Sequence, residues 1–442
     1  MDARIARLAT VATMALVALP ALSRAELYDI TDLGSLGGVR GSGAYALSGT
    51  GVVVGYSFVS GSSFVHAMVN DHGEVVDLGT LGGTQSLARA VNSSGVVVGW
   101  AYQPGLTWQR AFRWDASGMT DLGTFGGPVS DATDVNDAGT IVGSAYDGLG
   151  RERPFWWRDG VLHELGTLGG TQGRALAINA WGDIVGTSLT AGDDEYHAFL
   201  GKPGSPLYDL GTLGGPASQA HDVNELVHVC GWSMLRPNDP ASRGFLWADG
   251  VLKSLGTLGG IYSAAFGLND QDQLVGASTR SDGTQVAFVW SRDLMVDLNT
   301  LLPAGNGWLL VSATDIDEHG AIVGEGVRPD GKPRAYLLTP AGSTGVPGPT
   351  PGLRFAGASP NPVRAGASFS FELPAAGNGS LVVYDLGGRV VRELASGWFA
   401  AGPNAVPWDG RGEDGVALAP GAYIARLVTT RGSLARRFVV VR

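Results

Sequence analysis

Short apolar and polar alternations recur along most of the chain, and none is long enough for a helix. Residues 86–122 show the unit. Ser86–Asn92 alternates as a half-buried strand does. Ser93-Ser94-Gly95 reads as a turn, and Val96-Val97-Val98-Gly99-Trp100 as a β-branched second strand. After a longer loop, Arg110–Trp114 makes a third strand, Asp115–Gly118 turns the chain, and Met119–Leu122 begins a fourth. First-strand signals of this kind occur at Ala44–Leu47, Ala88–Asn92, Ala132–Asn136, Ala175–Asn179, Ala220–Asn224, Ala264–Asn269 and Val311–Asp317.

A heptad punctuates these units. It reads Asp32-Leu33-Gly34-Ser35-Leu36-Gly37-Gly38 and returns at Asp77–Gly83, Asp121–Gly127, Glu164–Gly170, Asp209–Gly215 and Ser254–Gly260. A degenerate copy starts at Asp297-Leu298-Asn299-Thr300-Leu301. Successive copies lie 43 to 45 residues apart, the length of one four-stranded propeller blade. The seventh unit runs into Thr339-Pro340 without a fourth strand, whereas Glu26–Ile30 supplies an extra one at the other end. The expected fold is all-β, a seven-bladed β-propeller closed by residues 26–34. A solenoid is the competing repeat, but it would need capping units, and none is visible.

Composition agrees. Glycine makes 69 of 442 residues, too many for long helices and too few for collagen. Residues 1–25 read as a signal peptide. Arg4 and Arg7 precede an uncharged Leu8–Leu22 core, and Ser23-Arg24-Ala25 fits a cleavage site. Its loss moves the formal charge from −11 to −13, because the segment carries Asp2 and three Arg. Such a surface disfavours nucleic acid. Cys230 is the only cysteine, so no intramolecular disulfide forms, and its Val-His-Val-Cys-Gly setting reads as buried strand.

The residues also carry a resemblance. The recurring heptad, the Ala-x-x-x-Asn followed by Gly-x-Val-Val-Gly, and His197-Ala198-Phe199 resemble the bacterial HAF-type extracellular repeat family over residues 26–340. Equivalent triplets are His66-Ala67-Met68, Arg110-Ala111-Phe112, Arg153-Pro154-Phe155, Arg243-Gly244-Phe245, Val286-Ala287-Phe288 and Arg334-Ala335-Tyr336. That resemblance implies export and a repeat scaffold, but no reaction.

Residues 341–352 form a Pro/Gly/Thr linker. Beyond it, alternating segments at 368–373, 380–384, 389–394, 405–408, 422–427 and 435–441 predict a small Ig-like β-sandwich over 353–442. Ser359-Pro360-Asn361-Pro362, Val383–Val391, Trp408-Asp409-Gly410-Arg411 and Arg436–Val441 resemble the Ig-like module of flagellar hook-capping proteins and the C-terminal sorting domains of type IX secretion. This resemblance implies a bacterial protein that is secreted or held at the cell surface.

Catalytic motifs are scarce. The seven His residues are scattered, and His66 and His197 occupy a position held by Arg or Val in other units. The Gly-rich heptad lacks the Lys-Ser/Thr of a phosphate loop. Asp193-Asp194-Glu195 and Asp315-Ile316-Asp317-Glu318 offer oxygen ligands for Ca²⁺ but lack the spacing of a calcium loop, so no cofactor is expected. If the first strands are innermost, the Gly-Gly segments and the loops between second and third strands share one face. Those loops vary most, which marks them for recognition of a surface glycan or protein. They contribute the candidate binding residues Tyr102, Trp108, Arg151, Glu152, Asp193, Asp194, Tyr196 and Arg236. The expected function is a non-catalytic binding face on an exported repeat. A glycosidase or polysaccharide lyase with carboxylates from distant strands is the alternative, and a purely structural surface protein is another.

Overall fold

The alternating segments of residues 28–340 fold into seven units of four antiparallel strands. The computed structural model describes residues 28–441, apart from 107, 238–239, 342–353 and, in the C-terminal module, 360, 362, 365, 374–375, 386–388, 401, 414 and 430–431. The signal segment and nearly all of the linker therefore lie outside the described residues. Sheet one contains Gly37–Leu47, Val52–Val59, Val65–Asp71 and Glu74–Asp77 in chain order. Sheets two to six repeat that order over residues 86–121, 126–164, 169–211, 218–254 and 259–297. Sheets five and six are joined by one parallel pair, Ser242↔Tyr262. Sheet seven contains Leu309–Ile316, Ile322–Val327 and Pro333–Pro340, and its outer strand is Tyr28–Asp32, paired from Tyr28↔Pro340 to Asp32↔Tyr336.

Each sheet is apolar on both faces and packs against the next. Among the described residues, each junction between neighbouring sheets has one buried cluster. Ala90, Val98 and Ala111 of sheet two meet Ala132, Ile141 and Phe155 of sheet three. Sheet seven meets sheet one in the same manner, with Val323 and Ala335 against Leu33, Ala44, Val53 and Met68. Polar contacts repeat with the same period. The Ser130 hydroxyl donates to Gly123 O and accepts from Ala111 N, and Ser42 likewise donates to Gly34 O and accepts from Ala335 N. The first strands of sheets one to six, and Glu318 just beyond that of sheet seven, line one cavity of about 250 Å³. They are thus the inner strands, as the loop argument required.

The Asn that closes the first strand in sheets two to six links neighbouring sheets. Asn92 Nδ2 donates to Asn136 O, Asn136 to Asn179 O, Asn179 to Asn224 O, Asn224 to Asn269 O and Asn269 to Asp317 O, at 3.0–3.2 Å. The same side chains accept from their own turns, as Asn179 Oδ1 does from Trp181 N and Asp183 N. One residue therefore satisfies both a tight turn and a buried carbonyl of the next sheet.

Two details depart from the sequence expectation. In sheets one, three, four and six the first strand already begins at the Gly-Gly pair, with a register break before the main ladder. Gly126 has φ +96°, and a Cβ on Gly127 would lie 2.6 Å from Asp147 O, so the pair permits both the turn and the close crossing. The degenerate seventh heptad is a 3-10 turn, Leu298–Leu301, capped by Asp297. Asn299 there bonds both N and O of Leu310. Among the described residues there is no α-helix.

In the C-terminal module, Arg354–Ser359, Ala367–Leu373 and Gly402–Trp408 form one sheet. Val390–Phe399, Gly377–Asp385, Gly421–Thr429 and Gly432–Val440 form the other. Both contribute to one core, in which Phe369 stands 5.3 Å from Phe438 and 5.9 Å from Trp408. The strand Arg354–Ser359 was not among those expected from the sequence.

Candidate functional site

Most of the recurring residues are occupied by architecture. The first residue of the His-Ala-Phe triplets pairs with the acid that opens the heptad: His66 Nδ1 lies 2.9 Å from Asp77, His197 Nδ1 2.9 Å from Asp209, and Arg110 3.1 Å from Asp121. Arg153 pairs with Glu164 in the same way. These pairs tie the third strand to the start of the connecting segment.

The connecting segments and the second-to-third loops do share one face. Thr171, next to a Gly-Gly pair, donates its N–H and hydroxyl to Asp193 at 2.6 and 2.8 Å. Ser60 N likewise donates to Leu36 O. The expected residues fall into separate groups on this face. Glu152, Asp193 and Tyr196 come together with Arg174 and Tyr146, close enough that Glu152 and Asp193 help to raise the Tyr196 phenol, though burial is the larger cause. Glu152 accepts from Arg174 Nε at 2.9 Å and from the Ser144 hydroxyl at 2.7 Å. Arg151 turns back onto Asp147 of its own loop at 2.7 Å. Tyr102 lies 5.4 Å from Trp100, and Trp108 and Arg236 are exposed. Asp194 is exposed as well.

Sequence reasoning missed the inner part of this face. Glu325 of sheet seven meets Tyr56 of sheet one at 3.4 Å, and Tyr56 meets Tyr45 at 5.8 Å. Arg89 of sheet two lies over Tyr45 at 5.5 Å and reaches Asp131 of sheet three at 3.1 Å. Asp131 also feels Arg174 of sheet four and Glu152, which closes the arc. Burial pushes the Asp131 carboxyl up against the pull of Arg89. The signal was present but faint. These side chains flank the first-strand Ala or follow the second-strand Gly, where other units carry Ala264, Ser312, Leu176 or Ala277.

The opposite face carries carboxylates of a different kind. Asp137, Glu225, Asp270 and Glu318 line the cavity mouth, and each accepts a backbone N–H from the preceding sheet. Deeper, Asp134, Asp222 and Asp315 each accept two: their own following N–H and that of Ile178, Leu268 or Leu47 in the next sheet. The oxygen-rich segments considered for Ca²⁺ are engaged in this manner, Asp193 by Thr171, Asp317 by His319 N and Ala321 N. Among the described residues no group of three or more His, Cys, Asp or Glu is arranged to hold a metal ion.

Burial raises Asp134 to about 7, Asp222 to about 8 and Asp315 to about 6, overriding the backbone donors. Mutual repulsion adds to the shift of Asp222. Each carboxyl binds its proton more tightly in the folded chain than in the unfolded one, where Asp titrates near ~3.9. Their contribution to stability is thus greatest when protonated and declines as pH rises from about 4 to 8. Buried His221, lowered to about 4, acts oppositely below its unfolded pKa of ~6.5. Thermal melting should therefore fall on going from pH 6 to pH 8.5, by on the order of 5 °C. Melts that stay level or rise over that interval would show these carboxylates to be ionised throughout.

The FlgD Ig-like domain family matches residues 359–433. No curated protein matches the chain. Among solved structures, PorZ, an essential surface component of the type-IX secretion system of Porphyromonas gingivalis, is similar at 15% identity and a TM-score of 0.42, over 90% of this chain and 59% of its own. TolB from Acinetobacter baumannii is similar at 10% identity and a TM-score of 0.38, over 68% of this chain and 65% of its own. The sialidase of Trypanosoma rangeli is similar at 11% identity and a TM-score of 0.32, over 90% and 83%. The chain thus spans less than two thirds of the first two. No helix among the described residues is long and apolar enough to cross a membrane.

Proposed function

We propose that the chain is an exported bacterial surface protein. In this reading residues 26–340 form a seven-bladed β-propeller of HAF-type repeats, closed by the N-terminal strand, and residues 353–442 form an Ig-like module for sorting or attachment. The propeller presents one face to an extracellular glycan or protein.

The match of residues 359–433 to the FlgD Ig-like domain is the observation that carries the sorting part. The signal-like segment 1–25 supports export. For the binding part, the support is a division of labour. The recurring Asn, Ser and Gly residues hold sheet to sheet, and the variable loops and inner side chains of one face are left for recognition.

Truncation after Pro340 tests the sorting proposal. The full chain should fractionate with the cell surface or medium, and the truncated chain should remain behind the outer membrane. Identical fractionation of the two would defeat it.

A further inference from the structure

The inner part of the loop face has a chemistry of its own. Five neighbouring sheets contribute to one arc, in which Glu325, Arg89, Asp131, Arg174 and Glu152 alternate in sign, with Arg89 against Asp131 at 3.1 Å, Arg174 against Glu152 at 2.7 Å, and Asp131 within electrostatic reach of Arg174. Tyr56 and Tyr45 bridge the first step, and Tyr146 and Tyr196 stand at the far end. The repeat does not fix these side chains, since equivalent positions elsewhere hold residues as different as Gly43, Leu87, Gln219, Ala264, Phe266 and Ser312.

We propose that this arc is a binding site for a neutral carbohydrate chain, centred on Arg89, Asp131, Arg174 and Glu152. The inference rests on the binding-face reading above and specifies its ligand. A sugar hydroxyl both donates and accepts, so it fits between a guanidinium and a carboxylate and satisfies each. Arg89 Nε and Asp131 Oδ1 are buried without a partner among the described residues, a condition native structures seldom leave uncompensated. A ligand hydroxyl that brings donor and acceptor together suits such a half-satisfied pair. Tyr196 is 41% exposed and offers its ring to the C–H face of a sugar.

Charge narrows the class. An acidic glycan would gain Arg89 and Arg174 but meet Glu325, Asp131 and Glu152 on a chain of net charge −11. An apolar peptide would strip water from five charges and return nothing to them.

The test uses the full chain without its signal segment. It is presented to immobilised neutral oligosaccharides of glucose, galactose, mannose and N-acetylglucosamine, beside uronic, sialic and sulfated ones. Capture by at least one neutral series is expected. Arg174→Ala and Tyr196→Ala should each weaken it about tenfold or more, with Lys202→Ala as the unaffected control. Capture by acidic glycans only, or by none of the panel, overturns the inference. If the parent binds neutral glycans and both variants bind equally well, the face is a binding face and the arc is not its site. If the parent binds a surface protein and no glycan, the face survives and the carbohydrate does not.

Discussion

Gly143→Ala is expected to cost at least about 3 kcal/mol, although it adds one methyl group in a segment whose backbone any residue can adopt. The Cβ would lie 2.1 Å from Asp131 O and 2.9 Å from the Phe155 ring. Asp131 belongs to the first strand of the same sheet, and Phe155 is wholly buried. Neither can retreat. The first strand is held to the next sheet through Asp134 and Asn136, and Phe155 fills the junction with sheet two. The same contact recurs at Gly55, Gly99, Gly186, Gly231, Gly276 and Gly324, where a Cβ would sit 2.0–2.1 Å from a first-strand carbonyl. All seven units thus use an absent side chain to let the first strand bulge against the second. Gly148→Ala, in the loop that follows the same second strand, is the control, because its Cβ would meet nothing within 4 Å. That change should fall within about 0.5 kcal/mol of the parent. Chemical denaturation of the two variants measures the contrast. Equal midpoints would mean that the bulge relaxes freely.

This geometry explains how much could be read from the chain. A residue that serves most units recurs, so the Asn ladder in five of them, the heptad in six and the second-strand glycine in all seven stand out as a period. Their roles were less legible than their presence. The Gly-Gly pair reads as a loop because glycine shows no alternation, yet in four sheets it belongs to the first strand. The strand Arg354–Ser359 follows the Pro/Gly tract and has too little patterning to separate from it. The charged arc is the opposite case. Its members appear once each, in five units, and only spatial convergence unites them. Loop variability found Glu152, Asp193 and Tyr196. It could not find Arg89, Asp131 or Arg174, which lie within regular strands.

Deleting residues 26–33 should abolish the stable monomer. Tyr28–Asp32 is the outer strand of a sheet whose other three strands come from the far end of the repeat, so its pairing joins positions some 300 residues apart. Tyr28 lies in the core between sheets six and seven, and Leu33 in the core between seven and one. Leu33 also donates its N–H to Ala335 O and accepts from Asn70 Nδ2, while Asp32 pairs with Arg328 at 3.1 Å. Losing two buried side chains alone removes roughly 3–6 kcal/mol, against a typical total of about 5–15 kcal/mol. The deletion also uncovers Pro333–Pro340 as an open edge, with Tyr336 and Leu338 beneath it. Such an edge invites pairing with another chain. Sedimentation and thermal melting of the shortened chain should therefore show association, a much lower transition, or both. A peptide of residues 26–34 added in trans should restore the parent transition. The milder Leu33→Ala should lower stability by about 2–4 kcal/mol and leave the chain monomeric. A deletion variant that stays monomeric and melts with the parent would show that the seven-sheet repeat does not depend on this strand. The seventh sheet would then be complete with the three strands that the repeat itself supplies.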